Sequence, residues 1–172
     1  MVWGAFCRHG KSELAFLKEI QRSEHYIETL KNNYLPFVDR FPEENFTFQQ
    51  DNESIHTSKK TKKWFQDQKI DVLEWPELSP DLDTIENIWG TLDRRVYANG
   101  RQFTNREALI GMIQKTWNEI EPEFLIKLVE SMKNRCTAVV EKRGQNFILN
   151  SFFYDKNNFF YVFPCYYKNF DP

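Results

Sequence analysis

Along residues 2–143, short apolar runs alternate with segments patterned at helical spacing. That alternation confines the chain to α/β architectures with a mixed sheet. "VWGAFC" and "SELAFLKEI" flank the turn "RHGK", which predicts an antiparallel hairpin of Val2–Cys7 with Glu13–Leu17. Tyr26, Ile27, Leu30 and Tyr34 recur at helical spacing, with Ser23 as N-cap and Pro36 as stop. "NFTFQQD" then alternates with period two, predicting a strand that ends at Asp51. Thr57 or Ser58 caps a helix running to about Gln68, and "IDVLEWP" is a brief buried strand closed by Pro76.

Three helices follow. The first carries Ile85, Ile88, Trp89, Leu92 and Val96 on one face. "TNRE", Thr104 to Glu107, reads as a capping box opening the second, with Leu109, Ile110, Ile113, Trp117 and Ile120 inward. Pro122 fits the first turn of the third, whose stripe runs from Phe124 to Val140 and stops at Gly144. The predicted order is β-β-α-β-α-β-α-α-α. In such sheets functional groups collect at the carboxyl ends of parallel strands.

The 172 residues suit one domain with a real core. A formal charge of −2 gives no overall attraction to nucleic acid or membrane, so any such affinity is local. Cys7, Cys136 and Cys165 have no metal-type spacing and read as reduced thiols of an intracellular protein. No apolar run reaches the ~20 residues of a membrane span, and no signal-peptide pattern is present. From Gly144 the composition turns Phe/Tyr/Asn/Lys-rich without strand or helix periodicity. Residues 1–143 are therefore expected to form the domain, and 144–172 a disordered tail.

Two acids stand out. Asp51 ends a strand, and Glu86, thirty-four residues further on, lies near a helix start. Carboxylates brought together at a sheet edge suit Mg²⁺, which prefers oxygen ligands. A pair of such ions can clamp the attacking and leaving oxygens of phosphoryl transfer. A plainer reading stays open: Asp83 and Glu86 fit a capping box, and Asp51 a turn.

"FQQDNESIHTSKKTKKWF", "VLEWPELSPDLDTIENIWGTLDRRVY" and "MVWGAF", in that spacing, resemble the Tc-one-like branch of the Tc-one/mariner superfamily of DNA transposases. The family pattern reads roughly "QQDNAPIHTS" and "WPAQSPDLNPIENLWG". The resemblance implies a ribonuclease-H-like α/β fold, a mixed sheet flanked by helices, here lacking the first strand. It implies a catalytic domain in which three acids hold two Mg²⁺ or Mn²⁺ ions to cut and rejoin DNA. Asp51 matches the second acid and Glu86 the third, both as catalytic residues and as metal ligands. Asn52, His56 and Asn87 match motif positions that shape the site. Lys59, Lys60, Lys62 and Lys63, with Arg94 and Arg95, are candidates for DNA phosphate contacts, or else a solvated helix face.

The family's first acid lies on a strand upstream of "MVWGAF", and none of Glu13, Glu19 or Asp39 is placed to replace it. The expectation is therefore a partial domain, inactive alone, without the family's helix-turn-helix modules. The alternative is a non-enzymatic protein that binds nucleic acid or intact transposase as an inhibitor. The resemblance also implies a nuclear location, transposon-end DNA as partner, and possible homo-oligomers. Glu53-Ser54 replaces Ala-Pro, and Asp83-Thr84 replaces Asn-Pro.

Overall fold

The computed structural model describes residues 1–17, 20–74, 82–143 and 159–163. Its centre is β1 (Val2–Cys7), buried at every position. A strand covered on both faces needs a continuous apolar run, and "VWGAFC" supplies one. Val2 and Phe6 face a core built with Ile85, Ile88, Trp89, Leu92, Trp117 and Leu125. Trp3, Ala5 and Cys7 face the opposite core, with Tyr26, Leu30, Phe48 and Phe65. At Gly4 the first core leaves no room for a side chain. A Cβ there would lie 2.8 Å from Leu14 Cδ2 and 3.2 Å from the Trp117 ring.

In place of the single expected hairpin partner, Glu13–Leu17, two short pieces pair antiparallel to β1: β2 (Gly10–Lys11), ahead of that segment, and β3 (Ala15–Phe16), within it. Ser12 explains the break. Its hydroxyl accepts the Ala5 N–H at 2.9 Å, its own N–H donates to the Ala5 carbonyl at 2.8 Å, and its carbonyl accepts Trp117 Nε1–H at 2.8 Å. The ladder bends to let the Trp117 indole in while its polar groups stay paired.

Helix α1 (Ser23–Thr29) has Arg22, not Ser23, at its N-cap. The expected stop at Pro36 does not occur. A π-helical turn, Leu30–Tyr34, leads into α2 (Leu35–Val38), so Pro36 lies inside continuous helical backbone. Proline removes a hydrogen bond and crowds the preceding turn. The wider turn, closed by Leu35 N–H to Leu30 O, accommodates it.

Strand β4 (Thr47–Gln49) leads through α3 (Ser54–Thr57) to α4 (Lys59–Asp67) and β5 (Asp71–Val72), which pairs parallel to β4. Ser58 caps α4 as expected, its Oγ accepting Thr61 N–H at 3.1 Å. Helix α5 (Ile85–Val96) buries the predicted face. Helix α6 (Arg106–Asn118) is capped by Asn105, one residue past the expected Thr104, and α7 (Pro122–Arg143) opens on Pro122. Trp64, Trp89 and Trp117 are core residues, as is Cys136. Trp75 and Pro76 lie outside the described residues.

The tail brings a further element. Residues 159–163, where the sequence shows no periodicity, form β6 (Phe159–Phe163). The sheet order is β2-β1-β6-β4-β5, with β3 also on β1. Strand β6 is antiparallel to β1 and parallel to β4. These five residues form a strand; the rest of 144–172 lies outside the described residues. Among the described residues no helix is long and apolar enough to cross a membrane.

Candidate functional site

Asp51 stands two residues past β4, whose position is fixed by Phe48. That ring is fully buried, edge-on to Tyr34 at 4.8 Å and against Phe65 at 4.9 Å. Gln50 is buried next to it. Its Oε1 accepts the Tyr26 hydroxyl at 2.7 Å, and its Nε2 donates to the His56 carbonyl at 3.4 Å. The chain then folds back. The Glu53 N–H donates to Asp51 Oδ1 at 3.0 Å, an Asx turn, and His56 Nδ1 meets the same oxygen at 2.5 Å. An ionised carboxylate only accepts, so His56 Nδ1 carries the proton. His56 is fully buried under the Tyr26 ring, 4.4 Å between centroids. Both bonds converge on Oδ1; among the described residues Oδ2 has no hydrogen bond assigned to it.

Glu86 sits in the first turn of α5, held in place by the burial of Ile85, Ile88 and Trp89. Beside it, Asp83 stands at the helix head, where the backbone N–H groups of Ile85 and Glu86 favour its charged form. Its Oδ1 is buried, with no hydrogen-bond partner among the described residues. Burial, and then the charges of Glu86 and Asp51, push the Asp83 carboxyl up to about 8. Burial and Asp51 raise Glu86 as well. The structure thus brings Asp51, Asp83 and Glu86 within electrostatic reach of one another. Like charges held together in this way attract a cation. Among the described residues, no three His, Cys, Asp or Glu side chains are arranged to hold a metal ion together.

A cleft of about 540 Å³ opens at Asp51, lined by Gln50, Asn52, Thr57, Lys62, Leu73 and Glu74 among others. Of the basic residues in the motif, Lys62 reaches this cleft. Lys60 pairs with Glu24 at 2.8 Å, and Lys63 with Asp67 at 3.5 Å. Lys59 and Arg95 are exposed, and Arg94 donates to Thr91 Oγ1 at 3.1 Å. Asn52 is exposed at the cleft. Asn87 turns toward α7, where Arg135 Nη2 donates to its Oδ1 at 2.8 Å.

Two groups at the site were not visible in the sequence pattern. Tyr26 reads as one more apolar position of a helix, yet its hydroxyl and ring fix Gln50 and His56. Arg135 lies on the polar face of α7 and ties that helix to the residue after Glu86. No local motif marks either; the contacts span 24 and 48 residues.

The arrangement is that of an α/β domain with acids gathered at the carboxyl end of a parallel strand and the head of a helix. Comparison with solved structures gives its class. The catalytic domain of Mos1 mariner transposase superposes with a TM-score of 0.75 at 19% identity, over 85% of this chain and 74% of that one. The fold is ribonuclease-H-like. The profile of the family described as DDE superfamily endonuclease matches residues 1–110, and the chain belongs to that family. Among curated relatives, the Caenorhabditis elegans Tc3 transposase is 37% identical over 84% of this chain and 44% of its own length. The Tc1 transposase of the same organism is 33% identical over 84% of this chain and 52% of its own. The chain is a Tc1/mariner-type transposase DDE domain spanning about half the length of these relatives.

Proposed function

We propose that this chain is the acid-bearing part of a metal-dependent DNA-cutting and strand-transfer domain, and that on its own it binds metal and DNA without cutting. The observation that carries this reading is the gathering of three acids beside a cleft containing Lys62, where Glu86 and Asp51 act on Asp83 and Asp51 acts on Glu86. Hard oxygen donors gathered in this way fit Mg²⁺ or Mn²⁺. Asp51, through Oδ2, and Glu86 would hold the metal. Bound divalent ions would supply charge stabilisation for the attacking and leaving oxygens of a phosphodiester.

The remaining groups have their own parts. His56 and the Glu53 N–H fix the orientation of Asp51. Arg135 holds the α5 head through Asn87. Lys62 places positive charge where a DNA phosphate would enter. The Mos1 catalytic domain has been solved with Raltegravir and Mg, and with Mn, and Mos1 transposase in a paired-end complex with the left transposon end. Transposon-end DNA, association with a further transposase copy and nuclear residence all follow from this reading.

The test is calorimetric titration of the purified chain with Mn²⁺, alongside nicking of transposon-end DNA. Weak Mn²⁺ binding that vanishes in Asp51→Asn and Glu86→Gln, with no nicking, is expected. Nicking abolished by Asp51→Ala would refute the claim of inactivity. Mn²⁺ binding unchanged in both variants would refute the site.

A further inference from the structure

Strands β1 and β4 are not paired to each other. Strand β6 lies between them, with Gly4 to Cys7 opposite Phe163 to Phe160 on one side and Thr47 to Gln49 opposite Phe159 to Tyr161 on the other. Among the described strands, β6 alone joins the β1 group to the β4–β5 pair by hydrogen bonds. Strand β4 has only three residues, and β5 two. A two-stranded unit of that length is not stable by itself in water. Asp51 follows two residues after the last β4–β6 pair, so its backbone position is inherited from that pairing.

The sequence of β6, "FFYVF", is aromatic and β-branched throughout, the composition that favours a strand. It contains no carboxylate, so it fills the centre of the sheet without contributing a metal ligand. We infer that residues 159–163 are a working central strand of this protein, supplied by the same chain, and that they position Asp51 by bridging β1 to β4. The tail is then part of the site's scaffold rather than an appendage. This holds whether or not the site binds metal.

The register offers a direct test, because Cys7 lies opposite Phe160. Directly opposed residues of an antiparallel pair have Cα atoms about 4.5–5.5 Å apart, within the roughly 4.4–6.8 Å that a disulfide spans. In the full chain carrying Phe160→Cys, oxidised glutathione would take two electrons and two protons from the thiol pair and be reduced to two glutathione thiols. Peptide mapping of the monomer should show the introduced thiol bonded to Cys7. A bond to Cys165 or Cys136 instead, or no bond in the monomer, would overturn the inference. A Cys7 bond found only in a covalent dimer would also overturn it, since the strand would then come from a second copy.

Hydrogen exchange on the unaltered chain gives an independent measure. Amides of Phe48 and Gln49 should exchange at least roughly 100-fold more slowly than in unstructured peptide. Tyr161→Pro, which removes an N–H from the middle of the strand, should abolish that protection. Protection that survives Tyr161→Pro unchanged would sink the inference.

Discussion

Asp83→Asn gives the sharpest test of the acid group at the head of α5. The Asp83 carboxyl is pushed up to about 8 from an ordinary 3.8. Its folded pKa is therefore above its unfolded one, the reverse of the usual carboxylate case. Between those values the folded chain holds a proton that the unfolded chain has released. Stability must fall as pH rises through that window, and level off above about 8. Each pH unit is worth about 1.4 kcal/mol, so going from about pH 5 to pH 8 should cost about 4 kcal/mol at low salt. Screening of the Glu86 and Asp51 share reduces this at higher ionic strength.

A total stability of about 5–15 kcal/mol makes such a loss large. Asparagine has the shape of a protonated carboxyl and cannot ionise, and it is the residue the family pattern carries at this place. Urea unfolding with EDTA present, at pH 5 and pH 8, should give nearly equal stability for the two proteins at the lower pH. At pH 8 the variant should be the more stable, and its pH slope should be clearly shallower than the parent's, keeping only the share of groups such as Glu86, which burial and Asp51 also raise. If Asp83→Asn keeps the parent's loss of stability between these pH values, Asp83 is not strained by its neighbours and the cation-attracting character assigned to the site fails.

Other expectations are simpler. Tyr26→Phe leaves the buried Gln50 Oε1 without its 2.7 Å donor and should cost about 1–3 kcal/mol in denaturant unfolding; no loss would mean that Gln50 finds another partner. Gly4→Ala drives a methyl to within 3.2 Å of the Trp117 ring, which its bond to Ser12 holds still, and should cost about 1–3 kcal/mol; a neutral result would show that the ring yields. Lys62→Ala should lower the salt slope of DNA binding by about one unit, with a smaller change for Lys60→Ala, whose amine is already paired with Glu24. Equal effects from both would point to a diffuse basic face.

Much of this was legible in residue patterns, and the reasons are local. β1 could be read because a strand buried on both faces has no polar position to confuse the pattern. The helices α4 to α7 could be read because their apolar stripes and capping residues lie within a few residues of their ends. The motifs singled out Asp51, Glu86 and His56, and the structure sets His56 Nδ1 against Asp51 Oδ1. Elsewhere the deciding partner was distant. The break between β2 and β3 depends on a tryptophan more than a hundred residues away. The passage through Pro36 depends on a π turn that no composition marks. The lysines looked equivalent in sequence, and only packing separates Lys62 at the cleft from Lys60 and Lys63, already paired. Strand β6 gave no signal because a fully central five-residue aromatic run has no alternation to detect.

The position of β6 also sets the order in which the protein can be made. The partners of Gly4 to Cys7 are residues 160–163, so the middle of the sheet is joined by residues that follow every other described strand. During synthesis β1 and β4 emerge long before the strand that separates them. Pairings of such high sequence separation close slowly, and until they do two apolar strand edges stay open to other chains. Closure of this sheet therefore awaits residues 159–163 and is expected to be sensitive to chaperone supply.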